Sequence, residues 1–329
     1  MFRDRIVHHL YFNYTHQLFE NTFIADSYSC IQGRGTHYGI NRLRMHIRQE
    51  SQNWQYPCYA LNLDIRGYFM HIIRQRLLEI ATASILKMAN HRVSIIGTAT
   101  WEEVIDIDFI LWLTAEIALL DPQENCEIVG DPSNWEGIDK AKCMRYAEKG
   151  RALPIGNLTS QLFSNVYLNE FDQYIKRVLL CRHYGRYVDD STVVDASHDW
   201  LLSIVPEIRD FLDSELGLEL HMGKVRIQEI HHGVEFLGAF IKPYRDYVSR
   251  KTYQRMIQKL RMLDLRNIDR AVASVNSYLG VLSHSASYNL RNELFGSGKI
   301  AEIVEFDGDM LKSKQKNPFD LKNLILNAL

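Results

Sequence analysis

Two adjacent carboxylates, Asp189 and Asp190, stand between two short runs of β-forming residues, Arg182-His183-Tyr184-Gly185-Arg186-Tyr187 and Ser191-Thr192-Val193-Val194. The pattern predicts a strand-turn-strand hairpin with the acidic pair at its tip. Carboxylates held together repel and raise each other's pKa, so the arrangement is unfavourable unless a cation lies between them. Taken alone, an Asp-Asp pair is more often a solvated turn. A third carboxylate shifts the balance. The apolar run Ala60-Leu61-Asn62-Leu63-Asp64-Ile65 predicts a strand whose Asp64 projects into the cleft at its carboxyl end, with a helix expected from Met70. Three carboxylates from two neighbouring strands can hold two divalent cations for in-line displacement at phosphorus. All-oxygen ligation of this kind suits Mg²⁺ or Mn²⁺, with substrate phosphates completing the shell.

These residues, in this order, resemble a reverse transcriptase. Asp64 matches the catalytic aspartate of the first palm motif, and Tyr187-Val188-Asp189-Asp190 matches the signature hairpin. Between them lies Leu153-Pro154-Ile155-Gly156-Asn157-Leu158-Thr159-Ser160-Gln161; after them come Gly223-Lys224 and Gly233-Val234-Glu235-Phe236-Leu237-Gly238. The resemblance runs from Phe2 to about Arg291 and implies an RNA-directed DNA polymerase of α+β, right-hand architecture. It implies fingers, a palm of antiparallel sheet with packed helices, and a helical thumb. It also implies two Mg²⁺ ions, replaceable by Mn²⁺, bridged by Asp64 and Asp189, with Asp190 in support and the Ile65 carbonyl completing one shell. Its partners would be an RNA template, a DNA primer or cDNA, and dNTPs.

The second motif narrows the resemblance. Most bacterial and retroviral relatives carry Gln before the glycine and end in Ser-Pro, where this chain has Ile155 and Ser160-Gln161. In this it is similar to the error-prone enzymes of diversity-generating retroelements, which misincorporate opposite template adenine. Phe2-Arg3-Asp4-Arg5-Ile6-Val7-His8-His9 and Gln32-Gly33-Arg34-Gly35-Thr36-His37 resemble the fingers motifs of that group, and Ser277-Tyr278-Leu279-Gly280 its thumb. The alternatives are a retron-like or defence-associated reverse transcriptase, or a non-catalytic RNA-binding scaffold that retains the palm. Clustered carboxylates kept without use argue against the scaffold.

Each remaining residue carries a functional and a bland reading. Phe69 could pack against the sugar of an incoming nucleotide and exclude a 2′-hydroxyl, or be a core aromatic opening a helix. Gly156 lacks a Cβ, so backbone there can approach a base pair closely. Apolar Leu162, Phe163, Val166 and Tyr167 predict a helix running to Leu180, with Asn157 or Thr159 as its cap. Gln161 could instead bond near the nascent pair. Lys224 could assist the leaving pyrophosphate as donor or fixed charge, or be an ordinary solvated lysine. The hairpin over 233–241, with Phe236, Leu237 and Gly238, could hold the primer end or pack palm to thumb, and Tyr187 is expected to contact the template-primer. Residues 242–299 are strongly basic, including Arg250, Lys251, Lys259, Arg266 and Lys299. Met256, Leu260 and Leu263 at helical spacing suggest that one face packs while the basic side chains grip phosphates.

The expected divisions are partial fingers at 1–57, a palm at 58–241 with a helical insertion at about 83–150, a thumb at 242–300 and a polar tail at 301–329 with a short amphipathic close. A formal net charge of −2 is low for a nucleic-acid enzyme, so affinity must come from local patches or from a basic partner. The resemblance implies such a partner, a small basic accessory protein. It also implies a basic fingers strand upstream of Met1, so weakened polymerase activity is expected, with Arg3 and Arg5 as partial substitutes. Five irregularly spaced cysteines suggest a reduced cytoplasm and no zinc site. His231-His232 reads as a polar turn. Residues 109–120 form the most apolar helix candidate, too short to span a bilayer. No secretory signal is expected, because Arg3-Asp4-Arg5 follow almost at once.

Overall fold

Short apolar strands separated by amphipathic helices yield a mixed α+β chain in the computed structural model, which describes residues 2–315 apart from 94–98, 125, 127–128, 265–266, 298–299 and 302–303. The chain divides into two compact units, Met1–Ile227 and Gln228–Leu329. The division falls upstream of the palm-to-thumb boundary expected at 241/242.

The first unit holds helices α1 (Phe2–Glu20), α2 (Thr36–Glu50), α3 (Tyr68–His71), α4 (Arg74–Ala89), α5 (Trp101–Val104), α6 (Ile107–Leu119), α7 (Leu158–Arg177) and α8 (His198–Leu216). Between them run β1 (Tyr59–Leu63), β2 (His183–Tyr187) and β3 (Asp190–Asp195), with β4 (Arg226–Glu229) spanning the division. The sheet order is β2-β3-β1-β4, and β1 and β2 both pair antiparallel with β3. α7 is the axis of the core: Leu162, Phe163, Val166, Tyr167, Phe171 and Ile175 are buried among residues from α1, α4, α8 and the sheet.

The helix expected from Met70 is instead two helices. The backbone is extended at Ile73, which bridges Arg151, and the Arg74 amide donates to the Gly150 carbonyl. Pairing with the 150–151 segment takes the bonds that a continuous helix would have used. α7 stops at Arg177, and Leu180 lies at φ 56° before β2 begins. After α2 the chain turns through Gln52, Asn53 and Trp54, which all have positive φ.

The second unit holds a three-stranded antiparallel sheet, β5 (Val234–Phe236), β6 (Ala239–Lys242) and β7 (Arg245–Val248), followed by α9 (Arg250–Arg261), α10 (Ile268–Ser283) and α11 (Tyr288–Phe295). Met256, Val275, Leu279, Leu282 and Phe295 form its core, with Leu260 and Leu263 packed against them. The expected polar tail begins as structure. β8 (Val304–Phe306) pairs with β9 (Ser313–Gln315), and the Asn276 side chain of α10 bonds the Ser313 amide and carbonyl. Phe306 supplies the apolar contact, against Phe295. Arg266, Lys299 and the amphipathic close of the tail lie outside the described residues.

Candidate active site

β1 and β3 keep register out to Leu63 and Ser191, so the next residues along the two strands are Asp64 and Asp190. On the other side of β3 the hairpin closes with Tyr187 opposite Asp190, leaving Val188 and Asp189 as a two-residue loop. Val188 has φ 55°. That is the left-handed region, which a β-branched residue occupies only under strain.

A buried ion pair holds the loop. Arg186 Nε and Nη2 donate to the two oxygens of Asp172 at 2.7 Å each, and both side chains are essentially inaccessible. Arg186 Nη1 donates to the Val188 carbonyl at 2.9 Å, and the Tyr184 hydroxyl donates to Asp172 at 2.7 Å. The network satisfies the buried charges and ties the strained turn to the centre of α7. On the far side of β2, Ser27 bridges Arg186, and a Cβ at Gly185 would collide with the Tyr28 hydroxyl.

Opposite the hairpin, the Asp64 carbonyl accepts from the His221 amide and the Arg66 amide donates to the Glu219 carbonyl. A single 3₁₀ turn over Met222–Lys224 follows, and it brings Lys224 back to Asp64. The Lys224 ammonium lies 2.9 Å from both Asp64 carboxylate oxygens.

Asp64, Asp189, Lys224, Phe69, Ile155 and His221 line one cavity of about 240 Å³, together with Ile65. Burial pushes the Asp189 carboxyl above the usual carboxylate range; its own backbone N–H opposes, the Asp64 charge pushes the same way as burial, and Lys224 and Arg186 oppose. Asp64, already holding an ammonium, and Asp189 bring carboxylate oxygens to one cavity, a donor set suited to a hard divalent cation.

Asp190 follows Asp189 directly in the chain. It opens β3, is exposed, and is not among the residues that line the cavity. Among the described residues no three carboxylate, histidine or cysteine side chains converge closely enough to hold a metal ion.

Phe69 is half-buried, lines the cavity and meets Tyr68 edge to face. Ile155 is 72% exposed, and Gly156 beside it has φ 118° with open space where a Cβ would stand. The glycine is therefore required by backbone conformation. Asn157 occupies the N-cap position of α7 without making a side-chain cap, and the Thr159 hydroxyl is engaged by His8 Nδ1 at 2.7 Å. Neither acts as the cap read from sequence. Gln161 is exposed on the first turn of α7.

In the second unit, Leu237 and Gly238 form the β5–β6 turn, while Phe236 is buried, so its ring is packing and not a contact surface. Arg250, Lys251 and Lys259 are exposed along α9. His231 and His232 lie in a turn, and the five cysteines are free. Among the described residues no helix is long and apolar enough to cross a membrane.

Sequence reasoning missed Asp172 and Arg186. The available signals were an acid on the apolar face of α7 between Leu168, Phe171 and Ile175, and an arginine two positions from Tyr184 on a strand.

Comparison with known proteins follows the same residues. Residues 2–241 match the family described as reverse transcriptase (RNA-dependent DNA polymerase). Protein YkfC of Escherichia coli (strain K12) is 24% identical over 268 residues, which cover 72% of this chain and 60% of that protein. The chain thus spans about 60% of the length of the curated relative it matches. Among solved structures it is similar to apo telomerase from Candida tropicalis, at 12% identity and a TM-score of 0.48, covering 84% of this chain and 43% of that one. It is also similar to telomerase from Candida albicans in complex with the TWJ fragment of telomeric RNA, at 10% identity and a TM-score of 0.44, covering 77% and 42%. The family match takes in Asp64, the Tyr187 to Asp190 hairpin and Lys224 within one continuous span, and the chain belongs to the reverse transcriptase (RNA-dependent DNA polymerase) family.

Proposed function

We propose that the chain is an RNA-directed DNA polymerase that makes cDNA on an RNA template from dNTPs. The observation that carries the reading is the meeting of Asp64 and Asp189 in one cavity, where Asp64 already binds a cationic group. Asp64 and Asp189 would hold Mg²⁺ or Mn²⁺, two ions in the full complex, with Asp190 and the Ile65 carbonyl as supporting oxygens. When bound, the ions supply the positive charge that orients and neutralises the reacting phosphates. Phe69 meets the sugar of the incoming nucleotide and excludes a 2′-hydroxyl. Gly156 and Gln161 lie along the nascent pair. Lys224, once released from Asp64, would place its charge, or its proton, on the departing pyrophosphate.

The first unit would supply fingers and palm, with residues 83–150 as an insertion in the palm, and the second unit would supply the thumb. Tyr187 would contact the template-primer; the Phe236-Leu237-Gly238 turn would support the primer end, with Phe236 acting through packing. Arg250, Lys251 and Lys259 would contact phosphates, which positions a duplex without reading its sequence. Ile155 and Gln161 support the finer reading, the error-prone enzyme of a diversity-generating retroelement, acting in the cytoplasm with a small basic accessory protein.

Sequencing of cDNA made by the purified protein on a primed RNA template with Mg²⁺, beside Asp189→Asn, tests both levels. Product lost in the variant and enriched in substitutions opposite template adenine is expected. Faithful product would overturn the finer reading and favour a retron-like enzyme. Equal product from Asp189→Asn would overturn the site.

A further inference from the structure

α6 carries large apolar side chains on both its inner and its outer face. Its inner face, with Ile110, Leu113, Thr114 and Ala118, is buried, and it packs on α4 and α1. Its outer face carries Phe109, Trp112 and Leu119, exposed to 46%, 56% and 43%. The Phe109 and Trp112 rings stand side by side, centroids 5.7 Å apart. Neighbouring large apolar side chains exposed on one helix face mark an interaction surface. Tryptophan beside phenylalanine is the composition of an interface anchor.

Charge indicates what covers it. Residues 93–139 contain eleven Asp and Glu and no Lys, Arg or His. The whole chain has 40 acids and 38 Lys and Arg, so the remaining residues hold 29 acids against 38 bases, a balance of +9 against −11 in this segment. The chain is therefore bipolar, and its near-neutral total hides the fact. On α6 and its cap, Asp106, Asp108 and Glu116 are exposed around the aromatic pair. Phosphates of a nucleic acid or of an anionic membrane are repelled by such a surface.

We propose that the outer face of α6 is the docking surface for a cationic protein. Its apolar anchor covers Phe109 and Trp112, and its lysines and arginines meet Asp108 and Glu116. The surface stands on α6 and its surrounding charge; it rests on the proposed function only for the partner's role as the small basic accessory protein.

The test is photo-crosslinking of the full chain, with Trp112 replaced by p-benzoylphenylalanine, in the host that encodes it. The expected adduct is a protein rich in Lys and Arg. Co-purification of that protein should fall on the order of tenfold or more in Trp112→Ser, as loss of an aromatic anchor does, and also in the paired surface variant Asp108→Asn with Glu116→Gln, which leaves the apolar face intact. Both variants should keep the wild-type Tm. An adduct with a second copy of this chain, with an acidic protein or with RNA, the absence of an adduct, or a partner retained by both variants would overturn the proposal. Primer extension by the purified variants is read separately: if wild type itself extends no primer, the polymerase reading fails while the docking surface is still judged by its adduct.

Discussion

The ammonium of Lys224 stands 2.9 Å from each carboxylate oxygen of Asp64, a residue 160 positions away in the chain. The lysine is thus a tethered cation on the oxygens that the proposed reading gives to a divalent ion, and the two would compete for them. Removing it in Lys224→Met is expected to tighten Mn²⁺ binding by the free protein several-fold, measured by titration of the free-ion resonance signal. The same variant should extend primers more slowly, because the charge meant for the pyrophosphate is lost. Unchanged Mn²⁺ affinity would mean that Lys224 does not compete.

Arg186 and Asp172 form a buried pair whose partners also include Tyr184 and the Val188 carbonyl. Arg186→Met or Asp172→Leu leaves the partner's charge buried and unmatched, at a cost of about 3–5 kcal/mol. Urea unfolding should show this, and the double variant Arg186→Met with Asp172→Leu should lose less than the two single losses added together. Polymerase activity should remain low even in the double variant, because nothing then holds the Val188–Asp189 turn.

The raised pKa of Asp189 has a defined pH consequence. A carboxyl whose folded pKa is raised costs stability when ionised. The cost is absent below the unfolded value near about 3.9 and complete above the raised folded value. Without metal, Asp189→Asn should therefore melt higher than wild type at pH 7, and the gap should close as the pH falls through the carboxylate range. Mg²⁺ or Mn²⁺ should raise the wild-type Tm at pH 7 and raise that of the variant less. A gap that does not change with pH would remove the electrostatic account.

Phe69 shares the cavity with Asp64 and Asp189. Phe69→Ala should raise incorporation of ribonucleotides relative to deoxyribonucleotides by roughly tenfold to a hundredfold, the range that rejection of one extra hydroxyl spans. Single-nucleotide kcat/KM for the matched pair of triphosphates measures it. A core role alone would lower stability and leave the ratio unchanged.

α9 presents Arg250, Lys251 and Lys259 to solvent. For Lys251→Ala and Lys259→Ala, template-primer affinity should weaken alike on unrelated sequences. The slope of log affinity against log salt should fall by about 0.9 for each phosphate that is no longer neutralised. Sequence-dependent weakening would contradict a phosphate-gripping surface.

Much of the site was legible because its chemistry is local. A strand that ends in Asp64, and a turn that places Asp189 between two β-formers, follow from alternation and turn propensity within a few residues, and so do the helical period of α7 and the basic face of α9. Other features depend on segments that meet only in space. The break after α3 comes from pairing of Ile73 with Arg151. β8 and β9 form where the composition reads as a polar tail, because Asn276 and Phe295 give them bonds and an apolar contact. Asp190, next to Asp189 in sequence, opens β3 opposite Tyr187, whereas Asp189 stays in the loop and lines the cavity. The amino-acid sequence by itself determined which carboxylates are available and on which elements they lie. Only the tertiary structure decided which of them face one another, that Lys224 sits on Asp64, and that a buried arginine holds the turn, because contact energies between residues distant in the chain exist only after the chain has packed.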